Sequence, residues 1–162
     1  MKLLALILCA CVFATATAKE KVNWSYTTST DVLRKQTEVT AINISAFRPD
    51  DRIHLAKVAV ALVVTKKKDG KSEVSMDIPT PQKLLYCPFP KGCAIAARFD
   101  DGPVVSLKAS KPTNWALHIV FQKPDELIRQ IRKSKELIVE VPIEKDLPEQ
   151  HIFDLSGLRD DL

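Results

Sequence analysis

The chain has 162 residues, of which 46% are hydrophobic and 27% are charged, so its composition is that of a folded protein with a core. Its 24 basic and 20 acidic side chains give a net charge of +4 at pH 7. So mild an excess does not indicate nucleic-acid binding, which calls for a strongly basic, clustered face.

Residues 1–18 predict a signal peptide. They contain an early lysine, a short apolar run and an A-x-A cleavage site at Ala16-Thr17-Ala18. The apolar run is shorter than the about 20 residues that a transmembrane helix needs. Lipid anchoring through Cys11, in a loose lipobox, is the alternative, but the A-x-A site favours simple export to the periplasm or the medium. Cleavage would leave residues 19–162, which we expect to fold as a single domain without a transmembrane segment.

The first half of this mature chain predicts strands and turns. Residues 22–28 and 37–46 are rich in aromatic and β-branched side chains and predict two strands, with a weak helical turn at 31–36. Residues 55–65 are apolar on both faces and predict a central strand. The stretch 66–71 has four lysines around an Asp-Gly pair, which predicts a hairpin whose tip is solvated rather than a binding patch.

The second half continues the same pattern and adds one helix. Pro124 suits a first helical turn, Arg132 and Lys133 suit a last turn, and apolar residues between them recur at helical spacing. Alternating apolar residues predict further strands at 82–86, 93–99, 105–109, 115–121, 136–143 and 152–155. The tail at 159–162 is expected to be frayed. The predicted fold is therefore mainly β, an antiparallel β-sandwich-like domain of eight to ten strands with one helix in its C-terminal half.

Residues that could carry chemistry are scattered. His54, His118 and His151 have no metal-ligand spacing, so we expect no metal and no cofactor. Asp100 and Asp101 are adjacent, and neighbouring side chains on an extended chain point apart, which weakens a carboxylate pair for acid–base work or calcium binding. The run Asp100-Asp101-Gly102-Pro103 instead predicts a structural turn between two strands.

Cys87 and Cys93 are the cysteines that remain after cleavage, and an exported pair predicts a disulfide. The small loop that this bond would close holds Pro88, Phe89, Pro90 and Lys91. Phe89 between two prolines is a candidate anchor for a partner, because a rigid loop loses little entropy on binding. A cap on the core is the alternative role for its ring, and we favour that role.

The sequence also resembles a group of secreted bacterial proteins of uncharacterised function. The resemblance rests on Y-C-P-F-P-K-G-C-A-I-A-A-R-F-D-D-G-P at 86–103, on the helix that follows and on I-F-D-L-S-G-L at 152–158. More distantly, the arrangement of Cys87, Gly92 and Cys93 is similar to the invasion-associated locus B family, small periplasmic or surface β proteins associated with bacterial entry into host cells. The resemblance implies a fold, a compartment and a structural disulfide, and it supplies no catalytic residue.

The expected function is non-catalytic binding in the cell envelope or outside the cell. The partner would be a protein or an envelope component and not a nucleic acid. An envelope inhibitor or immunity-like protein, presenting the loop between the two cysteines, is one alternative. An enzyme with a site of scattered side chains, such as His118 with Asp100, is the other.

Overall fold

The computed structural model describes residues 23–45, 59–78, 86–113, 117–144 and 147–162. The predicted signal peptide, Cys11, His54 and nearly all of the predicted strand at 82–86 lie outside these ranges.

Antiparallel strands dominate the described residues. The elements are β1 (Trp24–Asp31), β2 (Gln36–Ile44), β3 (Ala61–Lys66), β4 (Ser72–Asp77), β5 (Cys93–Phe99), β6 (Val105–Ser110), β7 (His118–Phe121), α1 (Pro124–Lys133), β8 (Glu136–Glu144) and β9 (Leu147–Asp154). The prediction of a mainly β fold with one helix in the C-terminal half is confirmed. In β5 the predicted alternation is present, since Ile95, Ala97 and Phe99 are buried while Ala94 and Arg98 are exposed.

The described strands form one continuous sheet. Its strand order is β1-β2-β3-β4-β7-β6-β5-β8-β9, and the pairings between neighbouring strands are antiparallel. Buried side chains from every strand join one core cluster, so the sheet curls around that core and brings its first and last strands together.

Side-chain hydrogen bonds fasten these two ends along a line that we call the seam. The indole Nε1 of Trp24 in β1 donates to the carbonyl oxygen of Leu155 at 3.1 Å. The buried amide Nδ2 of Asn43 in β2 donates to the carbonyl oxygen of Asp154 at 2.6 Å. Because backbone carbonyls that leave water need a donor, these bonds satisfy the carbonyl groups at the end of β9 and just after it, and they join the two ends of the sheet.

The helix α1 occupies the place where a longer β7 would continue. β7 has four residues and pairs with β4 over Ser75–Asp77 and with β6 over Ala109 and Ser110. Pro124 ends the strand direction and begins α1, which buries an apolar stripe against the core and packs beside β4. The stripe consists of Leu127, Ile128 and Ile131.

Two sequence expectations differ from the structure. Residues 31–36 do not form a helical turn: they close the β1–β2 hairpin, with the N–H of Arg34 donating to Oδ1 of Asp31 at 3.0 Å. The tail is not frayed, because the guanidinium of Arg132 donates to the carbonyl oxygens of Arg159 and Asp160. Both corrections depend on contacts that a local pattern does not contain.

Candidate functional site

The two predicted cysteines form a disulfide at one end of β5. Cys87 and Cys93 are bonded with their Cα atoms 5.2 Å apart, and Cys87 is buried in the core cluster. Inside the loop, the N–H of Gly92 donates to the carbonyl oxygen of Pro88 at 2.7 Å. The loop is therefore held by a covalent bond and an internal hydrogen bond.

Gly92 seats this loop directly on β6. Its φ is +77°, and a Cβ at this position would lie 2.6 Å from the carbonyl oxygen of Ala109. No other residue type tolerates both the left-handed backbone and so close an approach. The loop position is thus fixed against the C-terminal end of β6.

Phe89 lies on the outside of the loop with 47% of its surface exposed, so the expectation that its ring caps the core is wrong. Tyr86, which precedes the disulfide, is also exposed. Pro88, Pro90 and Lys91 are exposed as well. The loop therefore presents aromatic and proline surface to solvent.

The structure places Asp100–Pro103 in the turn between β5 and β6. Oδ1 of Asp100 accepts hydrogen bonds from the N–H groups of Lys135 and Glu136 at 2.8 and 2.9 Å. The hydrogen bond from Glu136, followed in size by the one from Lys135, lowers the pKa of the Asp100 carboxyl below its usual range. Asp100 therefore ties the turn to the start of β8, and this use of its carboxylate argues against acid–base work.

β6 carries an open backbone edge beyond its short pairing with β7. The N–H of Gln122 donates to the carbonyl oxygen of Lys108 at 2.9 Å, so the backbone groups of Lys108 face the side of β7 and α1. Alternate residues of a strand face the same side, so the N–H and C=O of Ser106 point there too. No described residue bonds to them, because α1 packs beside β4 and leaves a gap next to β6.

This gap is a groove of about 650 Å³ between β6 and α1, which we call the β6–α1 groove. Val105 and Leu107 share the inward face of β6 with buried Ala109, yet Val105 is 39% exposed because none of the described elements covers it. Phe99 and Leu127 add apolar surface from β5 and α1. The remaining lining residues are Gly102, Pro103, Ser106, Lys108, Gln122, Lys123, Glu126 and Gln130.

A second cavity, of about 670 Å³, lies at the seam. Its lining is mainly polar and includes Asn23, Ser25, Lys135 and Asp154. Its mainly polar lining distinguishes it from the β6–α1 groove, whose lining is mainly apolar.

The described histidines do not converge. His118 starts β7, where Nδ1 lies 4.0 Å from Oδ1 of Asp77, whose pKa is raised by burial. His151 is fully buried in β9, which is separated from β7 by three strands in the sheet order. Thus no composite histidine site forms among the described residues.

His151 sits in a polar chain within the core. Its Nδ1 lies 3.3 Å from Oγ of Ser45, which itself accepts the N–H of Val60 at 3.1 Å. Its Nε2 lies 3.9 Å from Oε2 of Glu149, and burial lowers the pKa of the imidazole to about 4. The sequence of Ser, His and Glu side chains resembles that of a catalytic triad, but His151 lines none of the cavities described above. The contact between His151 and Ser45 instead connects β9 to the residue that follows β2.

Within the described ranges, no cluster of three or more His, Cys, Asp or Glu side chains could hold a metal ion. Over those same ranges, helical structure lacks the length and the apolar content that crossing a bilayer requires.

No protein-family model matches this chain, and no curated protein matches it. Among solved structures, the chain is similar to invasion associated protein B from Bartonella henselae, with 15% sequence identity and a TM-score of 0.42 over 85% of this chain and 88% of that one. A similarity at this level carries no argument about function, so the function is argued from the residues of the chain itself.

The sequence pointed to the loop but not to the groove. The alternation of Val105 and Leu107 along β6 is visible in the sequence, and it predicts that both side chains are buried. The exposure of Val105 follows from the pairing of β6 with the short β7, and that pairing leaves no local signal in the sequence.

Proposed function

We propose that this protein is an exported, non-catalytic binding protein whose protein partner inserts an extended segment into the β6–α1 groove beside the Cys87–Cys93 loop. The N-terminal segment supports export to the periplasm or beyond the cell. The open edge of β6 carries the proposal.

The open backbone edge of β6 indicates which kind of partner would bind there. Unbonded N–H and C=O groups of a strand are matched by the backbone of another extended chain, and strand addition at such an edge is a recurrent mode of peptide recognition. Ser106 supplies those groups, while Val105 and Leu107 supply an apolar floor for alternate side chains of the added strand.

The loop supplies an anchor beside the groove. Phe89 projects from a loop that is closed by a disulfide and fixed on β6 through Gly92. A preorganised loop loses little conformational entropy on binding, and buried aromatic side chains dominate binding energy in many interfaces. An envelope inhibitor or immunity-like protein is the form of this proposal in which the bound segment belongs to an enzyme.

A non-catalytic role is supported by the same geometry. Acid–base and nucleophilic catalysis need groups that converge on a place that substrate can reach. Asp100 is bonded to backbone N–H groups, His118 lies on another strand from His151, and His151 is buried.

The proposal is tested by panning a phage-displayed library of random peptides on the mature protein and measuring the affinity of the selected peptides. Phe89→Ser and Val105→Glu are each expected to weaken binding about tenfold or more, which corresponds to about 1.4 kcal/mol for a contact residue. Ile44→Ser is the matched control, because Ile44 is exposed to the same degree as Phe89 but lies on β2.

All three substitutions replace exposed side chains, and circular dichroism checks that each variant folds. Failure to select any peptide, or selected peptides that bind the Phe89 and Val105 variants as tightly as the unaltered protein, would contradict the proposal. Turnover of a substrate that is lost on replacing His118 would support the enzyme alternative instead.

A further inference from the structure

Two hairpin tips lie at the same end of the sheet. The β1–β2 hairpin closes at Asp31 and Gln36, and the β3–β4 hairpin closes at Lys66 and Ser72. Val39 of β2 pairs with Lys66, so the first hairpin projects three residues, about 10 Å, beyond the second. The end of the sheet therefore carries one protruding tip with a second tip beside it.

The protruding tip is apolar. Val32 and Leu33 are 83% and 86% exposed, the highest values among the described large hydrophobic residues. The turn itself is held by polar bonds, since the N–H of Arg34 and its guanidinium both donate to the Asp31 carboxylate. Turns favour Gly, Asn, Asp, Pro and Ser for backbone reasons, and neither Val32 nor Leu33 meets such a need.

Cations surround this apolar tip. Residues 31–38 and 66–73 contain six lysines and arginines against four acidic residues. Asp69 pairs with Lys71 and Glu73 pairs with Lys67, whereas Lys35 and Lys68 have no ion-pair partner among the described residues. Hydrogen bonds from Arg34, and to a smaller extent the charge of Lys68 on the second tip, lower the pKa of the Asp31 carboxyl.

We infer that this hairpin end is a docking surface for an anionic lipid bilayer. Val32 and Leu33 would enter the head-group region, and Lys35, Lys68 and their neighbours would meet the lipid phosphates. Membrane attachment needs two weak signals of this kind, an apolar insertion and a basic patch. A protein partner usually requires a much larger patch, about 800 Å² on each side, than two adjacent side chains provide.

The lysine-rich tip at 66–71 is expected from its sequence to be solvated rather than to form a binding patch. That interpretation treated residues 66–71 alone, while the register of β2 on β3 places them next to Val32 and Leu33. This surface is separate from the β6–α1 groove, so membrane binding at the hairpin end and peptide binding in the groove can be tested independently.

The test is co-sedimentation of the mature protein with vesicles made of equal parts of phosphatidylglycerol and phosphatidylcholine. Binding is expected to these vesicles, to weaken as salt is raised and to be lost on vesicles of phosphatidylcholine alone. Replacing Val32→Ser together with Leu33→Ser is expected to lower the partition coefficient about tenfold or more. Lys68→Gln is expected to lower it several-fold.

Controls are available on other surfaces of the protein. Val104→Ser removes an exposed valine from the β5–β6 connection, and Lys133→Gln removes an exposed lysine from α1, and neither is expected to change vesicle binding. The inference is overturned if the unaltered protein does not bind the anionic vesicles, or if the Val32 and Leu33 double variant binds them as well as the unaltered protein.

Discussion

Phe89 and Phe99 stand at opposite ends of the stretch that joins the disulfide to the β5–β6 turn, and their surroundings differ. Phe89 is 47% exposed, while Phe99 is 9% exposed and packs in the core. We expect Phe89→Ala to reduce the free energy of unfolding by less than about 1 kcal/mol, and Phe99→Ala to reduce it by about 3–5 kcal/mol. Urea unfolding of both variants measures the two losses.

Equal and large losses for the two phenylalanine variants would show that Phe89 supports the core and would remove it from the proposed binding surface. A small loss at Phe89 together with weaker peptide binding would separate its role in binding from any role in folding.

His151 gives the stability of the protein a pH dependence. Its imidazole is buried, with Ser45 and Glu149 facing it, and burial lowers its pKa from 6.5 to about 4. Between these values the unfolded chain binds a proton that the folded protein excludes, so stability is full above pH 6.5 and falls as the pH drops toward 4. The expected loss is about 3 kcal/mol.

Urea unfolding at a series of pH values measures this loss, with His151→Gln as the comparison. The difference in unfolding free energy between the two proteins should shrink as the pH falls through this window. The carboxyls of Asp31, Asp69 and Asp100 have lowered pKa values, so their contribution is lost at lower pH, below their ordinary value of 3.8. A difference that stays constant down to pH 4 would contradict a neutral, buried His151.

The disulfide loop and the β3–β4 hairpin each contain a glycine with positive φ. Replacing each of the two glycines with alanine distinguishes the cost of backbone strain from the cost of a steric clash. Gly70 has a φ of +84° and open space around it, while Gly92 has a φ of +77° and the Ala109 carbonyl beside it. Gly70→Ala should lower the unfolding free energy by about 1 kcal/mol, the cost of a left-handed backbone.

Gly92→Ala should cost clearly more than Gly70→Ala, because the carbonyl it meets belongs to β6 and cannot move without disturbing the sheet. Thermal unfolding of the two variants gives the comparison. Equal losses would mean that the loop is not seated on β6 as described.

Local sequence patterns predicted the elements in which the spacing of apolar residues matches the face that is buried. The alternation from Cys93 to Phe99 and the capped, amphipathic stretch from Pro124 to Lys133 correspond closely to β5 and α1. Residues 31–36 weakly predict a helical turn, in which Asp31 and Arg34 would have the spacing of helical neighbours. That spacing equally suits a hairpin turn in which both bond to each other, and the pairing of Asp31 with Gln36 decides between them.

Across the whole molecule, function depends on contacts between distant parts of the chain. The pairing of β4 with β7, rather than with β5, places α1 beside β4 and opens the groove along β6. The seam joins Trp24 to Leu155 and Asn43 to Asp154, residues more than a hundred positions apart. Neither relation leaves a periodic signal in the sequence, so the loop could be proposed in advance and the groove could not.

The proposed peptide binding is tested most directly at the backbone N–H of Ser106. This group faces the groove without a bond from any described residue, so in the free protein its hydrogen exchange should be fast for a residue within a sheet. Measured by NMR, its exchange should slow at least about tenfold when a peptide selected by panning is added, because an added strand would accept its hydrogen bond. Exchange at Ser106 that is unchanged at saturating peptide would contradict strand addition at β6.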